Sequence, residues 1–271
     1  MRDINAGELG LAGATTVSAV RPYRFFAQIN QIETHQISNY DALQVTAERR
    51  GRGLGLLTSY TYSHALDEGT GSPGSVLNPS NIASDYGNSD ENIPNRFVLS
   101  ATYELPFKNS GVLKPVVEGW QLNGILQYYD GFPFSVSSSS GVGDGLTPRA
   151  QFIGASGNGS LSSSQRTRAQ WFDTAAFANH PAGAWGNSGR NILQGPGTKN
   201  VDFSFFKNTP ITEGKVLQLR AEFFNLFNTP EFNNPGATVT AGTFGKVSSA
   251  GSEPVFQRLE RQIQVAAKIT F

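Results

Sequence analysis

The chain of 271 residues contains no cysteine, one methionine and three histidines, and its charges cancel, 21 basic against 21 acidic. Without thiols there is no disulfide framework, no thiolate nucleophile and no thiolate metal ligand, and the lack suits an oxidising compartment where stray thiols would mispair. A net charge of zero with no basic run leaves no electrostatic footprint for nucleic acid. Long hydrophobic runs are missing too, since none approaches the ~18–20 apolar residues that a membrane helix needs. If the chain enters a membrane, it does so through strands of a closed barrel, the other fold that satisfies every backbone group in lipid. Hydrophobic residues make up 38% of the chain and the mean hydropathy is −0.29. Both values suit strands that turn half of their side chains to water.

What is present is alternation. In the last ten residues Ile263, Val265, Ala267, Ile269 and Phe271 oppose Gln262, Gln264, Ala266, Lys268 and Thr270. Successive strand side chains face opposite sides, so this pattern predicts a strand with one apolar and one polar face. Seven other segments repeat it. Strands are therefore expected near residues 23–36, 40–50, 54–66, 95–107, 120–131, 199–208, 216–228 and 258–271. The first sets Tyr23, Phe25, Ala27 and Ile29 against Arg24, Gln28 and Asn30. The cleanest sets Phe97, Leu99, Ala101, Tyr103, Leu105 and Phe107 against Arg96, Ser100, Thr102 and Glu104.

The connections carry a second signal. Gly51-Arg52-Gly53, the stretch from Lys108 to Gly119, and the turn around Pro210 to Lys215 are short, whereas residues 67–93, 132–199 and 229–257 form long links. Only the link around Ser38 and Asn39 is short where the rhythm calls for a long one. Short turns on one rim and long loops on the other are how outer-membrane barrels are built, with periplasmic turns and extracellular loops. The terminal aromatic strand resembles the closing strand of that class, which the barrel-assembly machinery recognises. By that resemblance Ile263, Val265, Ala267, Ile269 and Phe271 form the assembly signal. Phe97 and Phe107 would lie ~33 Å apart along a strand, or ~25 Å vertically at a ~40° tilt, one in each aromatic girdle. Tyr60, Tyr62, Trp120 and Tyr128 are the other girdle candidates. A soluble β-sandwich also alternates. It would bury the aromatic face, however, and would explain neither the loop asymmetry nor the terminal Phe.

The expected fold is all-β, a segment of an antiparallel transmembrane outer-membrane β-barrel of about eight long strands spanning residues 21–271. Residues 1–20 read as an N-terminal remnant. With Arg2, Asp3 and Glu8 and no apolar core, they do not form a signal peptide, so either an export signal lies upstream and the chain is a fragment, or the outer-membrane expectation fails.

Catalytic and metal chemistry find little support. His35, His64 and His180 lie in unrelated segments and share no ligand spacing. The acidic scatter Asp67, Glu68, Asp85, Asp90 and Glu91 offers oxygen ligands for Ca²⁺ but lacks the spacing of a calcium loop, so it is expected as a solvated loop. No glycine-rich phosphate cradle and no serine elbow appears. The chain is therefore expected to be no enzyme and to carry no cofactor. Residues 171–177 and the run Gly183-Ala184-Trp185-Gly186-Asn187-Ser188-Gly189-Arg190 are expected to order the far half of the longest loop, with aromatics that either pack it or meet a ligand.

A series of phrases, in this order, resembles one family. They are Asn39-Tyr40-Asp41-Ala42-Leu43-Gln44, Ser59-Tyr60-Thr61-Tyr62-Ser63, Asn95-Arg96-Phe97-Val98-Leu99-Ser100, Tyr103-Glu104-Leu105-Pro106-Phe107, Gly119-Trp120-Gln121-Leu122-Asn123-Gly124, Gly186-Asn187-Ser188-Gly189-Arg190-Asn191, Gly195-Pro196-Gly197, and Arg220-Ala221-Glu222-Phe223-Phe224-Asn225-Leu226-Phe227-Asn228. From about residue 20 to 271 the chain resembles the C-terminal barrel of Oar-like TonB-dependent receptors of the acidobacterial type. The resemblance implies uptake of a bulky or scarce nutrient captured by the long loops, with outer-membrane lipid and the assembly machinery as partners. It also implies that the plug and the TonB-contacting segment lie outside this chain. A self-contained small barrel with a structural or adhesive role is the alternative.

Overall fold

A computed structural model of the chain describes residues 2–34, 36–69, 78–108, 111–143, 146, 148–251 and 260–271. His35 lies outside the described residues, as do parts of the first, second and third long links. Among the described residues no helix is long and apolar enough to cross a membrane, which says nothing of crossing by strands.

One antiparallel meander dominates. Its long strands are β1 (Ser38–Gly51), β2 (Leu54–Asp67), β3 (Asn95–Glu104), β4 (Trp120–Tyr129), β5 (Thr198–Thr212), β6 (Lys215–Phe224) and β7 (Gln262–Thr270), each paired with its neighbour in sequence. A two-residue strand, Gly87–Asn88, adds to the loop end of β2. The expected strand at 23–36 is not in this sheet. Residues 23–26 turn, with the Phe26 N–H donating to Tyr23 O (3.1 Å). The Asn5 amide holds the carbonyls of Tyr23, Phe26 and Ala27 and accepts from the Tyr23 N–H. A side chain that satisfies these backbone groups removes their need for a ladder partner and so outweighs the alternation. Residues 2–34 instead form a tied unit, closed by Arg2–Asp3 against Asn30–Gln31. They dock on the longest loop, where the Val17 N–H donates to Val142 O (2.8 Å). The break in the loop rhythm therefore disappears, because what precedes β1 is itself a loop-rim segment.

The turns explain the rest of the alternation of links. Arg52 and Gly53 join β1 to β2 with φ of 52° and 75°, the left-handed pair that a two-residue hairpin turn of matching twist requires. Glu213 and Gly214 join β5 to β6. Residues 105–119, with a short helix α1 (Lys114–Val117), join β3 to β4 on the same rim. Gly119 there has φ of 79°, and a Cβ would stand 2.2 Å from Asn208 O, so only glycine lets the link pass β5. The opposite rim carries residues 68–94, 130–197 and 225–261. Since strands alternate in direction, β1 and β7 both descend from the loop rim to the turn rim. They are the two ends of the sheet and are not paired with each other among the described residues.

Register sorts every side chain to a face. One continuous row across the strands is Val45, Tyr60, Phe97, Tyr128 and Lys199; another is Tyr103, Leu122, Phe205, Ala221 and Val265. The opposite face runs Ser59, Val98, Gln127 and Asn200, then Thr102, Asn123, Ser204, Glu222 and Gln264. The apolar face is open, as Leu43 is 60% exposed, Val265 80% and Ile269 56%. A β-sandwich would bury these side chains as its core. Their exposure to the surroundings suits a face meant for lipid.

Candidate functional site

The buried core of this protein lies in its long loops, not in its sheet. Phe134, Val136, Ala150, Phe172, Ala176, Phe177 and Leu193 from the link between β4 and β5 pack with Val239 from the link between β6 and β7. Phe172, 1% exposed, is the hub. Its ring centroid lies 5.8 Å from that of Phe134, 5.7 Å from Phe177 and 5.3 Å from Phe244. Two backbone bonds, Ser137 N–H to Ala237 O and Val239 N–H to Ser137 O (both 2.9 Å), sew the two links together. The aromatics of residues 171–177 thus pack the loop. Trp171 is half-buried and donates from Nε1 to Gln194 O (2.8 Å).

Two arginines bolt the first long link to this shell. The Arg149 guanidinium, buried, pairs with the fully buried Asp85 and donates to Ser84 O and Ser188 O (both 2.8 Å). Arg190 pairs with Asp67 at the loop end of β2 and with Asp90 (3.1 Å). Asn191, at φ of 52°, donates to Asn88 O (2.8 Å) and Asp90 Oδ1 (2.6 Å), and Asn88 donates back to Asn191 O (2.9 Å). The expectation of a solvated acidic loop is therefore corrected at three positions. Asp67 and Asp85 are buried and paired with arginines, because a carboxylate buried at a loop interface needs a paired charge, and the exposed Asp90 is held by Arg190 as well. Glu68, also buried, accepts from the Ile37 N–H (3.2 Å). The run 183–190 does order the loop, through Arg190. The partners of Arg149 and Arg190 lie far away in sequence, and no local pattern announces them.

The remaining histidines serve the same rim. His64 meets Asn88 Oδ1 (3.0 Å). His180 Nδ1 meets Ser138 Oγ (2.9 Å), and burial pushes the imidazole below its ordinary value. Ser138 is fully buried, so this Ser–His contact presents no nucleophile to a substrate. Cavities are modest. A crevice at the loop rim is lined by Tyr129, Phe132, Phe232 and Glu231, and a cavity of about 480 Å³ at the turn rim is lined by Lys114, Glu118, Lys207 and Pro210.

The girdle candidates divide between the rims. Tyr60, Tyr62, Phe97 and Tyr128 stand on the apolar face toward the loops. Trp120 opens β4 at the turn end of that face. Phe107 lies beyond the end of β3 at Glu104, so it is carried by the turn-rim link and not by a strand running from Phe97. Ile263, Val265, Ala267 and Ile269 share the apolar face of β7, and Phe271, 93% exposed, follows its last residue Thr270.

Comparison with known proteins agrees with this geometry. No curated protein and no solved structure matches the chain significantly. The family described as an outer membrane beta barrel domain matches residues 1–264. The apolar lipid face, the polar opposite face and the division into turn and loop rims are what that match requires, and the chain belongs to the outer membrane β-barrel domain family, whose place is the bacterial outer membrane.

Proposed function

We propose that the chain is the C-terminal barrel segment of an Oar-like TonB-dependent receptor, whose long loops capture a bulky or scarce nutrient at the cell surface. The observation that carries this reading is the open sheet. Every residue of β1, and all but one of β7, is exposed. Bare edges in lipid cost several kcal/mol for each unpaired backbone group. Both edges descend, so an antiparallel partner on either side must ascend. Neither β1 laid on β7 nor a second copy in the same membrane orientation supplies an ascending strand. An odd number of further strands completes the barrel, which is a wider barrel than these strands alone could form.

The preordered loop shell supports capture of a ligand, since loops already bolted together lose little entropy on binding. In this reading the chain catalyses nothing and holds no cofactor. The assembly machinery recognises β7, and TonB acts through segments outside this chain. The test is cross-linking in outer membranes of the native host, followed by capture of the protein. Recovery of TonB with it supports the reading. A folded barrel of the mass of this chain alone, never cross-linked to TonB, would favour the self-contained structural or adhesive barrel instead.

A further inference from the structure

We propose that Lys199, at the loop end of the apolar face, takes a phosphate of an outer-leaflet lipid headgroup, and that β4 and β5 thereby fix the depth of the protein in the bilayer. This inference rests on the membrane location alone and not on the transport reading.

The polar tips of the apolar face point outward at both ends. Toward the loops, the Tyr60 hydroxyl donates to Asn95 Oδ1 (2.7 Å), Asn95 Nδ2 to Asp130 Oδ2 (2.6 Å) and the Tyr128 hydroxyl to Asp130 Oδ1 (3.0 Å). This hydrogen-bonded belt spans β2 to β4. Toward the turns, Trp120 Nε1 donates to Val116 O (2.9 Å), and Lys207 Nζ donates to Glu118 O, Asn208 O (3.2 Å) and Thr209 Oγ1 (3.2 Å). Amphipathic side chains snorkel away from hydrocarbon, so the two sets bracket it.

The register adds symmetry. Lys199 pairs with Tyr128 and Lys207 with Trp120, and each ammonium stands over its partner's ring, at 5.6 Å and 5.8 Å. Only Leu122, Gly124 and Leu126 of β4, and Val201, Phe203 and Phe205 of β5, lie between them on this face. That interval corresponds to ~27 Å of strand, or ~20 Å of membrane normal at a ~40° tilt, which suits a thin outer membrane.

The two lysines differ in what remains for a ligand. Lys207 is buried and its three protons are committed to oxygens. Lys199 is exposed, and among the described residues its ammonium stands over the Tyr128 ring without an ion pair, while the neighbouring Asp130 bonds Tyr128 and Asn95. An ammonium with open donors at the water edge of a lipid-facing surface complements a headgroup phosphate.

The experiment purifies the native protein from outer membranes in mild detergent and measures phosphorus extractable into organic solvent per barrel. Lys199→Gln and Lys199→Glu are expected to lose about one lipid phosphate per barrel while Lys199→Arg keeps it. Equal lipid phosphate in Lys199→Gln and wild type overturns the proposal, and phosphorus that leaves with aqueous phosphate washes does so as well. If the variants do not assemble, the wild type carries the test through labelling by a membrane-impermeant amine reagent. The Lys199 peptide is expected to react more slowly in membranes than in lipid-stripped micelles, and equal rates overturn the assignment.

Discussion

Replacing Phe172 by Ala removes the hub of the loop core. The ring is 1% exposed and meets three others within 5.8 Å. Truncating a buried Phe costs ~3–5 kcal/mol, through lost transfer energy and the cavity left behind. Each aromatic contact contributes ~0.5–1.5 kcal/mol beyond area, and these contacts form part of that total. At ~1.4 kcal/mol per factor of ten, the shell should open ~10²-fold or more above its present frequency. Limited proteolysis of intact cells reads this opening when cleavage is slower than reclosing. Cuts within residues 148–197 and 225–251 should accelerate by that factor, while the heat-modifiable band of the folded barrel persists, because among the described residues no member of this core comes from the long strands. The control Phe203→Ala, on the lipid face, should leave loop cleavage unchanged. Unaltered proteolysis in Phe172→Ala would refute the claim that these loops hold a packed core. Loss of the folded barrel in step with the loops would refute their independence from the sheet.

Other expectations follow from the same geometry. Arg149→Leu should loosen the first and second long links by ~3–5 kcal/mol, because it strands buried Asp85, whereas Arg149→Leu with Asp85→Leu should recover most of the loss in the same proteolysis assay. Leu126→Arg should destabilise the folded barrel in urea by ~2–4 kcal/mol and Gln127→Arg by far less, since these neighbours face lipid and lumen respectively; equal costs would contradict the facing. His180 is held below its ordinary value, so the unfolded loop binds a proton first as pH falls. Its contribution is complete above the ordinary value of 6.5 and is lost as pH drops from there through the lower folded value. Loop cleavage should rise between pH 7.5 and pH 5, roughly the window in which histidine titrates, and His180→Asn should flatten that rise.

Much of the molecule was legible as a string. Alternation placed the seven long strands to within a few residues of their observed ends, because a two-residue period leaves one choice of face once the lipid side is known. Link lengths located the two rims for a similar reason, since a two-residue turn such as Arg52–Gly53 admits no other connection than a hairpin. The failures have physical causes as well. The alternation from Tyr23 to Asn30 gave way to the amide of Asn5, whose partners lie up to 22 residues away and leave no trace in the local pattern. The acidic residues of the first link looked solvated because Arg149 and Arg190 reach them from up to 123 residues away.

The amino-acid sequence by itself therefore determined where the long strands lie, which face is apolar and which rim carries the long loops, all set by period and turn chemistry within hairpins. Only the tertiary structure decided that residues 2–34 belong to the loop rim, that the loops share one core around Phe172, and that both sheet edges run downward, unpaired among the described residues. Those outcomes depend on contacts between distant segments, where a side chain's partner is set by the completed sheet and not by its neighbours in the chain.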